Sequence, residues 1–287
     1  MFTEENFGQD FKEVLGFTHA DLSYTRLHPD LIGSRNYIYD IISKTVYNAI
    51  ISDEDDTDIQ HTLKYALYIE AYRRHAPTSN LAHTNDGRRM LSDERYKTPF
   101  EWMLDKDDEN LQIRADESIS TLLQALEEKQ YWKESDIYNE FTSIHVNTIE
   151  KFSAVYPIQS RLLFLRLRPY LKECETRHIN SRLEKPLEDY DNKDLLSEII
   201  TEACVFYAIS KGATRLRATL FREGFQIEET NHGKSKRAPS NNAPEQLAQL
   251  YMQDSLKSLR ELEMHVGTND TEEIKFTFNT NSKFVDS

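Results

Sequence analysis

Glycine and proline are scarce, with eight of each in 287 residues, under half the usual combined share of about 12 per cent. That scarcity excludes collagenous, linker-like and low-complexity chains and favours long helices. Cysteine is scarcer still: Cys174 and Cys204 stand alone, so reduced thiols are expected and a disulfide framework is not. No apolar run approaches the roughly 18 residues of a membrane span. Glu4, Glu5, Asp10 and Glu13 occupy the stretch where a signal peptide would be basic and then apolar. These features predict a soluble chain made in the cytoplasm. Positive charge is also short, because 35 Lys plus Arg against 49 Asp plus Glu leave a net charge of -14. Such a chain repels phosphate backbones and anionic membranes, which argues against tight general DNA binding. It suits a surface past which DNA slides without sticking.

What is present supports a folded core. Hydrophobic residues make up 38% and aromatics 11%, while 29% charged residues and a mean hydropathy of -0.68 predict much wetted surface. The length suits about two domains or one two-lobed one. The most informative pattern is an internal duplication. Ala20 to Leu31 returns 140 positions later as Ser160 to Leu171, matching Leu22/Leu162, Tyr24/Phe164, Arg26/Arg166, Leu27/Leu167, Pro29/Pro169 and Leu31/Leu171. Ala66/Ala203, Ala71/Ala208 and Gly87/Gly224 continue it at an offset of 137.

Each half reads as a helix begun near its proline, a second apolar helix and a β-hairpin closed by an acidic residue and Gly. Pro29 and Pro169 suit a first helical position, where no amide is needed. Ile59, Leu63, Ala66, Leu67 and Ala71 form one stripe, behind an acidic Asp53 to Asp58 cluster that favours a helix N-terminus. Leu195, Ile199, Ala203, Phe206 and Ile209 form the other. The hairpins span Asn80 to Leu91 and Thr214 to Thr230, with alternating apolar and polar residues in the second.

Between the halves, Thr98-Pro-Phe-Glu101 has the form of a capping box, and Leu111, Ala115, Ile119, Leu122 and Leu126 carry a helix to about Lys129. Ser135 caps a returning helix with Ile137, Phe141, Ile144, Thr148, Phe152 and Val155 on one face. Residues 231–242 read as a loop, Pro244 starts a last helix, and Ile274, Phe276 and Phe278 alternate at strand period. The expected fold is therefore mainly α: duplicated helical units each with a hairpin, a central antiparallel helical hairpin and a C-terminal strand. Its expected divisions are 1–95, 96–158, 159–230 and 231–287.

Chemical motifs mostly fail. Gly233-Lys234-Ser235 lacks the glycine five residues before Gly233 that a phosphate-binding loop needs. The histidines show no metal-ligand spacing, and His28 and His61 read as packing residues. Asp53 to Asp56 and Asp105 to Glu109 lack the spacing of a calcium loop and read as solvated charge. No catalytic residue, metal or cofactor is expected. The candidate contact residues are Arg88 and Arg89 on the first hairpin, Arg215, Arg217, Phe221 and Arg222 on the second, and Ile274, Phe276 and Phe278 in the tail. The arginines either dock an acidic partner or guard exposed strand edges. The tail strand either packs on its own subunit or adds to a neighbour's hairpin edge.

The run Ser160-Arg-Leu-Leu-Phe-Leu-Arg-Leu-Arg-Pro169 resembles an uncharacterised structural-protein family of tailed phages and prophages of Bacteroidetes hosts. The likeness continues through Tyr96 to Trp102, Tyr131-Trp-Lys133 and Tyr138 to Phe141, and covers roughly residues 27–262. In architecture that family is similar to head-to-tail connector (adaptor) proteins. The resemblance implies a virion protein of the neck: a homo-oligomeric ring of about 12 copies, by analogy with portals, between the portal protein and the next tail or neck protein. DNA would cross its lumen without sequence-specific binding, and no membrane would be involved. The alternatives are a cytoplasmic helical-repeat interaction protein and, further off, an enzyme whose carboxylates converge only in the fold.

Overall fold

The computed structural model describes residues 7–16, 22–79, 81–84, 87–90, 100–216 and 243–266, with the backbone alone at 81–84, 87–90 and 243–244. The protein is mainly helical. Helix α1 (Phe7–Leu15) places Phe7, Phe11 and Leu15 on one buried stripe, a feature not anticipated from the sequence. Its Asp10 accepts hydrogen bonds from the Tyr68 hydroxyl at 2.5 Å and Lys64 Nζ at 2.9 Å. Helices α2 (Tyr24–Ile42), α3 (Lys44–Ser52) and α4 (Thr57–Ser79) follow. Ser43 takes φ +71 between α2 and α3, and its hydroxyl accepts from the Val46 amide to start the second helix. Helix α4 begins behind the acidic cluster, where Asp56 accepts from the Ile59 amide at 3.2 Å. The Lys129 ammonium bonds the same carboxylate and, with that amide, holds it below its usual range.

Strand β1 (Leu81–Thr84) pairs antiparallel with β2 (Gly87–Met90), closing at Thr84 opposite Gly87. Helix α5 (Glu101–Leu126) comes next, then the short α6 (Gln130–Lys133), α7 (Asp136–Asn139) and α8 (Ile149–Val155). Helix α9 (Arg161–Cys174) runs into a π-helical turn at Glu175–Ile179. A 3-10 turn (Leu187–Asp189), α10 (Lys193–Ala213) and α11 (Ala243–Val266) complete the described chain. Helix α4 packs between α2 and α5, α10 packs between α9 and α11, and α5 touches α9. The larger core extends from Ile38 through Ile119 and Phe152 to Leu262, and a smaller one joins α1 to α2, α4 and α5. Serine hydroxyls bond neighbouring helix backbones: Ser34 to Leu67 O at 2.7 Å, Ser210 to Ala248 O at 2.6 Å and Ser255 to Ala203 O at 2.8 Å.

Several expectations are corrected. Pro29 is the sixth residue of α2 and Pro169 the ninth of α9, not helix starts. An interior proline costs about 3 kcal/mol, and here Leu27, Leu31, Leu167 and Leu171 are buried on either side of the two prolines. That burial keeps both helices continuous. Helix α5 starts at Glu101 with Phe100 as its N-cap and ends at Leu126; Thr98 and Pro99 of the expected capping box lie outside the described residues. The returning arm is not one helix. It is α7 and α8 separated by turns, with Ser135 capping the first and Thr148 the second through bonds from the Tyr138 and Lys151 amides. Thr214 to Leu216 do not begin a strand, because the Arg215 and Leu216 amides fold back on Gly212 O and close α10. Leu195 is exposed at 40%, and α10 buries Leu196, Ile200 and Cys204 beside Ile199 and Ala203. His28 and His61 are exposed. Cys174 and Cys204, 30 apart in sequence, are free thiols buried in the core, and the hydrogen bond with Cys174 together with burial raises Cys204 well above its usual range. No helix among the described residues is long and apolar enough to cross a membrane.

Candidate functional site

Of the predicted contact residues, Arg215 is exposed and its guanidinium lies 5.5 Å from the Tyr170 ring, a cation-π contact. Arg88 stands opposite His83 and Arg89 opposite Ala82 in the strand pair. Arg217, Phe221, Arg222, Ile274, Phe276 and Phe278 lie outside the described residues.

A different surface stands out. From Glu101 to Asn110, roughly the first 15 Å of α5, no residue is buried, and all but the half-buried Leu104, Asp105 and Asp108 are exposed. Phe100 is exposed at 68%, Trp102 at 61% and Met103 at 41%. Aromatic side chains left in water at one helix end are candidate interface anchors. A signal for this was present in the sequence: nine residues at about 100° each put Trp102 on the face opposite Leu111. The carboxylates that follow are crowded. Burial, then Asp107 and Asp105, raise Asp108 above its usual range.

The described interior holds two polar seams. In the first, Glu70 on α4 accepts from Arg73 Nε at 2.7 Å and Nη2 at 2.8 Å, and from Arg74 Nε at 2.7 Å. Arg74 and Arg166 both lie near 6 Å from the Tyr37 ring, at 5.8 and 5.9 Å. In the second, His145 Nε2 is 3.1 Å from Ser197 O, 3.1 Å from Thr201 Oγ1 and 3.2 Å from Ser197 Oγ. A carbonyl only accepts, so Nε2 carries the proton and donates it there. That nitrogen therefore cannot take the Ser197 proton, and the serine is not activated as a nucleophile through it. Glu175, at the head of the π-helical turn, accepts from the His145 amide at 2.7 Å. The seam fastens His145 to the π-helical turn and to α10. No group of three or more His, Cys, Asp or Glu among the described residues could hold a metal ion.

Burial lowers the His145 imidazole below its usual 6.5, against the opposing bond to Ser197. Burial likewise lowers His178. The folded chain thus resists a proton that the unfolded chain takes up. Stability from these groups is whole above about pH 6.5 and is lost as pH falls through their folded values. Glu175, raised by burial, has the opposite sign: it takes its proton more readily when folded and gains stability as pH falls, in the more acidic window just above the usual carboxyl value of 4.5. The melting temperature is expected to fall between about pH 7 and pH 6, and less steeply in His145→Gln. Melting curves across that window check this, and equal slopes would show that His145 is not involved.

The fold and this surface define a mainly helical protein with an open aromatic helix end. The model of a Family of unknown function (DUF6712) matches residues 21–142 and 169–281, well over half of the 287; the chain belongs to that family. No curated protein and no solved structure matches it.

Proposed function

We propose that the chain is a structural subunit of a tailed-phage particle, a head-to-tail connector that packs side by side in a ring below the portal. The observation that carries the reading is the open end of α5, where Phe100, Trp102 and Met103 stand in solvent beside a run of carboxylates. Such a surface is suited to burial by a neighbour. The net charge of -14 would keep DNA from adhering to the lumen. The Arg-Leu-Arg-Pro run and its flanks supply the likeness to phage proteins. The portal and the next neck protein are the proposed neighbours, and the virion neck the proposed location.

The same reading includes the duplication. It is supported by the parallel orders α2, α4, α5 and α9, α10, α11, by prolines inside the first helix of each set, and by a family match that falls in two segments. The part of the second hairpin beyond Leu216 and the C-terminal strand, both outside the described residues, belong to this proposal as well. Cryo-electron microscopy of intact particles tests it: density at the head-to-tail junction that fits this helical subunit is expected. Its absence from tailed particles would overturn the reading.

A further inference from the structure

Arg168, the last arginine of the Arg-Leu-Arg-Pro run, is the one Lys or Arg buried among the described residues, at 5% exposure. A guanidinium has five N–H donors, yet Arg168 makes a single long hydrogen bond, from Nη2 to Tyr138 O at 3.3 Å. Its Nε is buried with no partner. Other enclosed charges have close ionic partners: Glu70 is matched by two arginines and Arg182 by Glu263 at 2.7 Å. Arg168 instead lies over the Phe141 and Phe164 rings, at 4.8 and 5.9 Å. Burying a guanidinium with no carboxylate bonded to it is costly; the charge of Glu140 acts on it only from a distance and does not outweigh its burial, and aromatic faces return only part of the loss. The remainder invites an anion.

Arg168 lines a cavity of about 230 Å³ between α5, α6, α8 and α9, with Leu123, Trp132 and Phe164 as apolar wall. Arg161 also borders it, but its guanidinium is spent on Glu127 through bonds of 2.7 and 3.1 Å. Among the described residues that line it, one cation is therefore available. Glu127 and Glu150 stand at the same cavity and oppose a second negative charge. We propose that this cavity binds a small organic carboxylate, with the planar anion on the Arg168 guanidinium and an apolar body against Trp132 and Phe164. A carboxylate matches the guanidinium fork and brings one charge, whereas a phosphate dianion brings two. The assignment is independent of the role in a particle.

The chain has two tryptophans, so Trp102→Phe leaves Trp132 as the sole indole reporter. Titrating that protein with sodium phenylacetate is expected to give a saturable change in emission, with inorganic phosphate at least about tenfold weaker. Arg168→Met should weaken phenylacetate about tenfold or more without lowering the melting temperature, since it removes an unmatched buried charge. Arg168→Lys keeps the charge, loses the fork, and should weaken binding similarly. No saturable change, or undiminished binding in Arg168→Met or Arg168→Lys, would overturn the site. Phosphate binding as tightly as phenylacetate would overturn the carboxylate assignment, and a marked fall in melting temperature in Arg168→Met would make Arg168 a packing residue.

Discussion

Replacing Phe100 and Trp102 together by Ser is expected to leave the melting transition of the subunit unchanged while abolishing its entry into particles. Both side chains are largely in solvent, at 68% and 61% exposure, and such positions usually shift stability by no more than about 0.5 kcal/mol. An aromatic anchor buried at an interface is worth about 2 kcal/mol or more on truncation. Losing two would weaken association by roughly a thousandfold. Trp102 also sits half a turn away from the buried Leu111 face, so its removal opens no cavity inside α5. The measurement is sedimentation of variant and parent with particles that lack the subunit, beside thermal melts of each. A variant that co-sediments like the parent would leave this surface without the assigned role.

Glu70→Ala is expected to cost about 2–3 kcal/mol of stability, lowering the melting temperature by roughly 5–10 °C. The carboxylate is 1% exposed and receives three N–H donors from two guanidiniums. Without it, Arg73 and Arg74 face one another's charge and lose their hydrogen-bonded counter-ion, with the more weakly acting Asp116 still favouring the charge on Arg73. Their side chains are 26% and 34% exposed, so water recovers part of the loss, which places the figure below that of a fully enclosed pair. Arg74 has little room to swing away, because its Nη1 lies 2.8 Å from where a Cβ on Gly33 would stand. Glu70→Gln keeps an acceptor for one arginine and should lose less. Thermal melts of both variants decide this, and a fall under about 2 °C in Glu70→Ala would mean that solvent, not Glu70, satisfies the arginines.

Much of the fold was legible because it is local. The acidic cluster before Ile59 marks the start of α4 through an amide only three residues from Asp56. The Leu111, Ala115, Ile119, Leu122 and Leu126 stripe is buried throughout, as expected of one apolar face at helical period. Ser135 caps the helix that it precedes. The chemistry was less legible. Trp102 carried a signal in its helical phase, but nothing near Arg168 in sequence shows that its guanidinium is enclosed. Tyr138 and Phe141, which meet it, come from about 30 positions earlier.

The sequence by itself determined the helical class, the acidic surface and the position of most long helices, because helical period, capping and net charge depend on residues a few positions apart. Tertiary structure decided the rest. It kept α2 and α9 helical through Pro29 and Pro169, since leucines buried on both sides of each proline oppose a local cost of about 3 kcal/mol. It broke the returning arm at residues 140–148, where the His145 amide bonds Glu175 thirty residues on. It left His28 and His61 in water and enclosed Arg168 instead. Burial is summed over neighbours distant in sequence, and no pattern within a few turns of chain encodes which side chains those will be.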